Sequence, residues 1–160
     1  MLYLVRHAKA GSRHDFKGND RLRPLSSAGR RQAEALADRL GPTLLAAGAK
    51  TLISSPFLRC IQTLRPLAKI LGAKVETDES LSEGRSFVGV LELLAMLPED
   101  SVICSHGDVI PETIAALERR GVEFLSQPDW RKASVWVLER DEAGEIVTAE
   151  SWPPPDADRC

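Results

Sequence analysis

Two histidines and two arginines carry the chemistry this chain offers. Arg6-His7 ends the apolar run that opens the sequence, and His106-Gly107 closely follows the run Val102-Ile103-Cys104. Arg59 comes shortly after a third short run, Thr51-Leu52-Ile53. Arginine presents a planar fork of N–H donors matched to phosphate oxygens. Histidine can donate as an imidazolium or attack as a neutral base. Brought together, these four residues suit a phosphoryl group. The sequence has no H-E-x-x-H pattern and no Cys/Asp cluster with metal spacing, so no metal is expected. It also lacks G-x-x-x-x-G-K-[ST] and G-x-G-x-x-G, so side chains rather than a glycine-rich loop must hold any phosphate. No cofactor is expected.

The four residues meet only if the chain places three strand ends side by side. Leu2–Val5, Thr51–Ile53 and Ser101–Cys104 are short apolar runs bounded by polar residues, the pattern of buried strands. If they are parallel neighbours, Arg6, His7, Arg59 and His106 gather at one sheet edge. In open α/β sheets that carboxyl edge is where ligands bind. Helices are predicted between the strands. One is capped by Ser26 or Ser27 and carries Ala33, Leu36, Ala37 and Leu40, with Gly41-Pro42 ending or kinking it. A second starts at Pro56 with Ser55 as cap, is kinked at Pro66 and ends at Gly72. A third spans 88–97 with Val88, Leu91 and Ala95 on its buried side, and a fourth spans 110–120. Lys74–Thr77 reads as an edge strand, and 133–139 with 145–150 as a hairpin around Asp141–Gly144.

Strands alternating with helices predict an α/β fold: a three-layer α/β/α sandwich around a mainly parallel sheet. One domain is expected over residues 1–152, with a flexible tail at 153–160 opened by three prolines. Net charge is -2, which argues against a nucleic-acid partner. Eight Lys or Arg nevertheless stand against two Asp between Arg6 and Arg31, a basic lip for an anionic substrate. Within it, Lys9, Ser12, Arg13, Lys17, Arg21 and Arg23 are candidates for gripping a second anionic group. Asp20 and Arg23 could instead pair and order the loop, and His14 reads as a plain loop residue. Cys60, Cys104 and Cys160 fit no disulfide framework, and the first two read as reduced core residues. Neither a signal peptide nor a membrane span is visible, so a cytoplasmic, membrane-free protein is the default expectation. Trp130, Trp136 and Trp152 read as packing residues rather than a substrate face.

Four segments, in order, resemble the motifs of the histidine phosphatase superfamily, which has the phosphoglycerate mutase-like fold. Leu4-Val5-Arg6-His7-Ala8 resembles its R-H-G signature, with Ala8 in place of glycine. Pro24 to Ala33 resembles its L-[ST]-x-x-G-x-x-Q-A segment. Ser54 to Thr63 resembles S-x-x-x-R-x-x-x-T, and Cys104-Ser105-His106-Gly107 its second histidine motif. The resemblance implies a metal-independent phosphatase in which His7 is the nucleophile and forms a phosphohistidine. It makes Arg6, Arg59 and His106 the phosphate pocket, with His106 also part of the catalytic set. Glu83, in Ser80-Leu81-Ser82-Glu83-Gly84, is its general acid; Asp108 is the rival and Glu79 a weaker one. The small size and Ala8 favour the short SixA-like branch, whose substrate is a phosphohistidine on a protein. A small phosphorylated metabolite or nucleotide is the alternative, and a non-catalytic phosphate-binding module a third. A mutase is disfavoured for want of pocket insertions. Cys104 to Pro111, with Lys132, also resembles the phosphatase domain fused to Nudix hydrolases in some actinobacteria, although no Nudix sequence is present.

Overall fold

The computed structural model describes residues 1–155; positions 156–160, with the end of the expected tail and Cys160, lie outside the described residues. Its strands are β1 (Leu2–Arg6), β2 (Leu52–Ser54), β3 (Val75–Thr77), β4 (Val102–Ser105), β5 (Glu123–Phe124), β6 (Val135–Arg140) and β7 (Ile146–Trp152). Its helices are α1 (Ser27–Ala46), α2 (Leu58–Leu71), α3 (Phe87–Met96) and α4 (Val109–Arg119). The sheet order is β3-β2-β4-β1-β6-β7-β5. β3, β2, β4 and β1 run parallel to one another, β6 is antiparallel to both β1 and β7, and β5 is parallel to β7. This is the expected α/β sandwich, and β2, β4 and β1 are the adjacent parallel strands that the site requires.

The alternation of side chains along β1 shows why helices cover both faces. Tyr3 and Val5 face a core with Leu36, Leu40 and Leu44 of α1 and Leu64 and Leu67 of α2. Leu2 and Leu4 face the other core, with Val90 and Leu94 of α3 and Ile110, Ile114 and Leu117 of α4. Among the described residues, no helix is long and apolar enough to cross a membrane.

Several local expectations are corrected. α1 continues through Gly41-Pro42 to Ala46. At Gly41 α1 packs tightly on α2: a Cβ there would stand 3.1 Å from a methyl carbon of Ile70. Pro42 is exposed, and so is Asp38, whose carbonyl loses its donor and can turn to water. α2 starts at Leu58 without a side-chain cap, so neither Pro56 nor Ser55 has the expected role; Pro66 lies inside it, as expected. Gly72 ends it in the left-handed conformation, as expected. In α3 the buried residues are Val90, Leu91 and Leu94, while Val88 is exposed and Ala95 is not in the core. That segment is apolar nearly all round, so its periodicity points to no single face. The two-residue β5 was not foreseen. Of the expected tail, Pro155 is buried and the Pro153 carbonyl accepts from Arg39 Nη1 at 2.7 Å.

Candidate active site

The site begins where β1 stops. The His7 amide donates to the Ser105 carbonyl of β4 at 3.1 Å. On the other side, the Ala133 amide donates to the carbonyls of Arg6 and His7 at 3.1 and 3.2 Å. The next residues are held by the motif side chains. Thr63 Oγ1 accepts from the Ala8 amide at 3.0 Å and donates to the Arg59 carbonyl at 2.7 Å. Gln32 Oε1 accepts from the Lys9 amide at 3.0 Å. The Lys9 carbonyl accepts from the Ser26 amide, and Ser26 Oγ caps α1 by accepting from the Gly29 amide. Gly29 must be glycine for this bracket, because a Cβ there would lie 1.8 Å from the Lys9 oxygen. The motif pattern in the sequence is thus largely scaffolding that fixes where His7 sits.

His7 Nδ1 lies 2.7 Å from the Ala8 carbonyl, so Nδ1 carries the proton and donates it. The other nitrogen, Nε2, has no hydrogen-bond partner among the described residues. Burial lowers the His7 pKa from 6.5 to about 3; the Ala8 bond opposes this, while His106, Arg59 and Arg6 add to it by repulsion. At neutral pH His7 is therefore a neutral imidazole with a free lone pair on Nε2.

Around it stand the other predicted residues. The His106 ring meets the His7 ring edge-on, with centroids 5.4 Å apart. His106 Nε2 is 2.8 Å from Ser55 Oγ, which also accepts from the Phe57 amide. The Ser55 hydroxyl proton is then free to go to Nε2, which leaves His106 Nδ1 as the N–H donor. Arg59 is wholly buried. Its Nη1 donates to the Asp20 carbonyl at 2.9 Å, and its Nη2 to Asp20 Oδ2 at 3.1 Å and Glu83 Oε2 at 3.5 Å. Arg6 donates to the Trp130 carbonyl. Among the described residues, four buried side-chain nitrogens have no partner, and three belong here: Arg6 Nε, Arg59 Nε and His106 Nδ1.

A cavity of about 320 Å³ opens in front of these groups. It is lined by Arg6, His7, Gly107 and Asp108, by Gly11, Ser12, Arg13 and Arg23, and by Glu83 and Lys132, with Ala10 completing it. Arg59 and His106 are not among its lining residues. Both candidate acids line it. Glu83 accepts from Arg13 Nη2 at 2.7 Å, and Asp108 Oδ2 accepts from the Gly84 amide at 2.8 Å. Glu79 does not: it is paired with Arg21 and bonded to Ser82, which hold its carboxyl below the usual range. Of the lip residues, Ser12, Arg13 and Arg23 reach the cavity, while Lys9, Lys17 and Arg21 do not. Asp20 and Arg23 pair at 2.8 Å, as the loop-ordering reading expects. Among the described residues no group of His, Cys, Asp or Glu is arranged to hold a metal ion. The tryptophans pack: Trp130 on Trp136, and Trp152 against Tyr3.

Four site residues were not singled out in the sequence for these tasks. Phe57 has Arg59 over its ring at 4.9 Å and His106 against it at 4.7 Å. Ser55 orients His106 instead of capping a helix. Gly107 lets Arg6 lie flat, since a Cβ there would come within 2.6 Å of its guanidinium. Ala133 bonds the Arg6 and His7 carbonyls from a left-handed conformation, φ 68°. Phe57 and Ser55 lie inside the quoted arginine motif, which was the available signal.

Comparison with known proteins gives a consistent answer. The family model described as histidine phosphatase superfamily (branch 1) matches residues 2–87. An 8-oxo-(d)GTP phosphatase of Mycolicibacterium smegmatis is 39% identical over 160 residues, covering 96% of this chain and 48% of the relative. The chain thus spans about half the length of that curated relative. Among solved structures, the protein histidine phosphatase SixA complexed with tungstate aligns with a TM-score of 0.68 at 21% identity, covering 91% of each chain. A mycobacterial glucosyl-3-phosphoglycerate phosphatase with VO3 aligns at 0.66 and 22%, covering 95% of this chain and 98% of that one. At those identities the likeness is one of fold.

Proposed function

The chain belongs to the histidine phosphatase superfamily, and from that premise we propose that it is a metal-independent phosphatase working through a phosphohistidine on His7. The observation that carries the reading is the ring of unpartnered buried N–H groups, on Arg6, Arg59 and His106, beside a histidine whose one free nitrogen is unprotonated. Buried donors without acceptors are costly, and an oxyanion between them removes that cost.

In this mechanism His7 Nε2 attacks phosphorus while the bond to the leaving oxygen breaks. Arg6, Arg59 and the His106 Nδ1–H donate to the phosphoryl oxygens as their charge shifts. The Ala8 carbonyl, accepting from Nδ1–H, stabilises the positive charge that builds on the ring. Water then attacks the phosphohistidine and releases inorganic phosphate. Glu83 and Asp108 both line the cavity, so either can serve a leaving oxygen or activate that water.

Of the two substrate classes raised by the sequence, a small phosphorylated molecule of the nucleotide kind fits better than a phosphohistidine protein. The cavity wall adds Arg13, Arg23 and Lys132 to the arginine beside His7, which suits an anion larger than one phosphoryl group. The 39% relative named for a nucleoside triphosphate points the same way. The test is a panel holding p-nitrophenyl phosphate, nucleotides and a phosphohistidine peptide, run with wild type and His7→Ala in EDTA. Turnover in EDTA that falls by at least ~1,000-fold in His7→Ala, with acid-labile phosphate trapped on His7, is expected. Activity that survives in His7→Ala, or that chelator abolishes, would sink the mechanism.

A further inference from the structure

The cavity in front of His7 is lined by four cations, more than a single phosphoryl group can use. Arg6 belongs with His7. Arg13 is closed on Glu83 at 2.7 Å, and Arg23 on Asp20 at 2.8 Å and on the Gly11 carbonyl at 2.6 Å. Lys132 has no carboxylate partner among the described residues. Burial lowers its pKa, and repulsion by the cations Arg6, Arg23, Arg59 and Lys9 adds to that. A half-buried ammonium held against like charges is unfavourable unless an anion joins it.

Lys132 is also held in place. Trp130, two residues before it, accepts from Arg6. Ala133, directly after it, bonds the carbonyls of Arg6 and His7 while buried at φ 68°. That conformation is unfavourable for a residue with a Cβ, and such strain persists where the surroundings impose it. The segment 130–133 is therefore tied to the attacking histidine's own backbone, and Lys132 rides on it.

We propose that Lys132 binds a second phosphoryl group next to the one attacked, so that the substrate is a phosphoanhydride: the end of a di- or triphosphate chain such as a nucleoside diphosphate carries. The proposal rests on the phosphatase reading above. His7 Nε2 forms a bond to the terminal phosphorus as the bond from that phosphorus to the bridging oxygen breaks. The electron pair stays on the bridging oxygen, which departs as the new terminal oxyanion of the shortened chain beside the Lys132 ammonium. Water then cleaves the P–N bond: its hydroxyl goes to phosphorus, and its remaining proton is released as the imidazole nitrogen recovers its electron pair. Such a leaving group departs as an anion, so it depends little on a proton donor.

The test measures kcat and KM for wild type, Lys132→Gln and Lys132→Arg on GDP, GMP and p-nitrophenyl phosphate, with His7→Ala as blank. Wild type is expected to prefer GDP to GMP by more than about tenfold in kcat/KM. Lys132→Gln should lose ~10–100-fold on GDP, mostly in KM, as expected for a lost charged hydrogen bond, and several-fold less on p-nitrophenyl phosphate. Lys132→Arg should recover much of the GDP activity. Equal fractional losses on GDP and p-nitrophenyl phosphate overturn the assignment, as does a wild type that prefers GMP. His7-dependent turnover of p-nitrophenyl phosphate without a diphosphate preference sinks only the Lys132 site. Absence of His7-dependent turnover on every substrate sinks the phosphatase reading with it.

Discussion

The inner seat and the outer lip of this cavity treat charge in opposite ways. Around His7 the chain leaves buried donors on Arg6, Arg59 and His106 without acceptors. On the lip three arginines are closed on carboxylates: Arg13 on Glu83, Arg21 on Glu79, Arg23 on Asp20. The seat can bear open donors because the backbone beneath it is pinned by Ser105, Ala133, Thr63 and Gln32. The lip is loop, and its ion pairs give it shape. The difference implies that substitutions in the seat act on chemistry, while substitutions in the lip act weakly unless they touch Lys132, which lines the cavity without a carboxylate partner among the described residues.

The sharpest way to strain that division is Gly107→Ala. A new Cβ would sit 2.6 Å from the Arg6 guanidinium carbon and one of its nitrogens. The guanidinium is the far end of a flexible side chain, so it moves and the fold survives. Thermal unfolding is expected to shift by no more than the equivalent of ~1 kcal/mol. kcat/KM is expected to fall ~10–100-fold, because Arg6 leaves the oxygens it would neutralise. A variant with full activity would remove Arg6 from the seat, whereas a badly destabilised one would show that Gly107 is structural.

A second effect is on stability. Burial holds the His7 pKa at about 3 in the folded chain against 6.5 in the unfolded one. Above pH 6.5 neither state binds the proton. Below it the unfolded chain takes up the proton and the folded chain does not, so stability falls as pH drops from 6.5 towards 3. The loss is on the order of a few kcal/mol at the lower end. Urea unfolding of wild type and His7→Ala between pH 7 and pH 4 measures it: the wild-type slope should be steeper, and equal slopes would mean that His7 is not the buried neutral base the seat requires.

The sequence carried the seat better than the lip, and the reason is physical. Arg6, His7, Arg59 and His106 follow apolar runs, and β2, β4 and β1 being parallel neighbours is enough to bring them together. Ser26, Gly29, Gln32 and Thr63 were visible as motif letters, but their task of holding the chain after His7 needed coordinates. Lys132 and Ala133 arrive from just before β6, far along the chain, by that strand's antiparallel pairing with β1, which no local pattern announces. Ser55 was misread as a helix cap because a serine before proline fits that rule, while its real partner, His106, lies 51 residues away. Of the end or kink expected at Gly41-Pro42, the end does not occur, because local rules cannot see Ile70 packed against the glycine.

The smallest expected effect is also the most direct check on the lip. Arg21 donates to Glu79 at 2.6 Å and lies over the Phe57 ring at 4.9 Å, yet neither Arg21 nor Glu79 lines the cavity. Exposed pairs of this kind contribute little, because solvent screens them and both side chains lose freedom in forming the contact. Arg21→Ala and Glu79→Gln are therefore each expected to change kcat/KM by less than about twofold, with no dependence on whether the substrate carries one phosphate or two. Phe57 sets the sensitivity of this check, since it touches Arg21 on the lip and both Arg59 and His106 in the seat. A drop much larger than twofold in Arg21→Ala alone, with Glu79→Gln silent, would mean that the ring transmits the lip's arrangement to the phosphate donors, and the two regions would have to be treated as one.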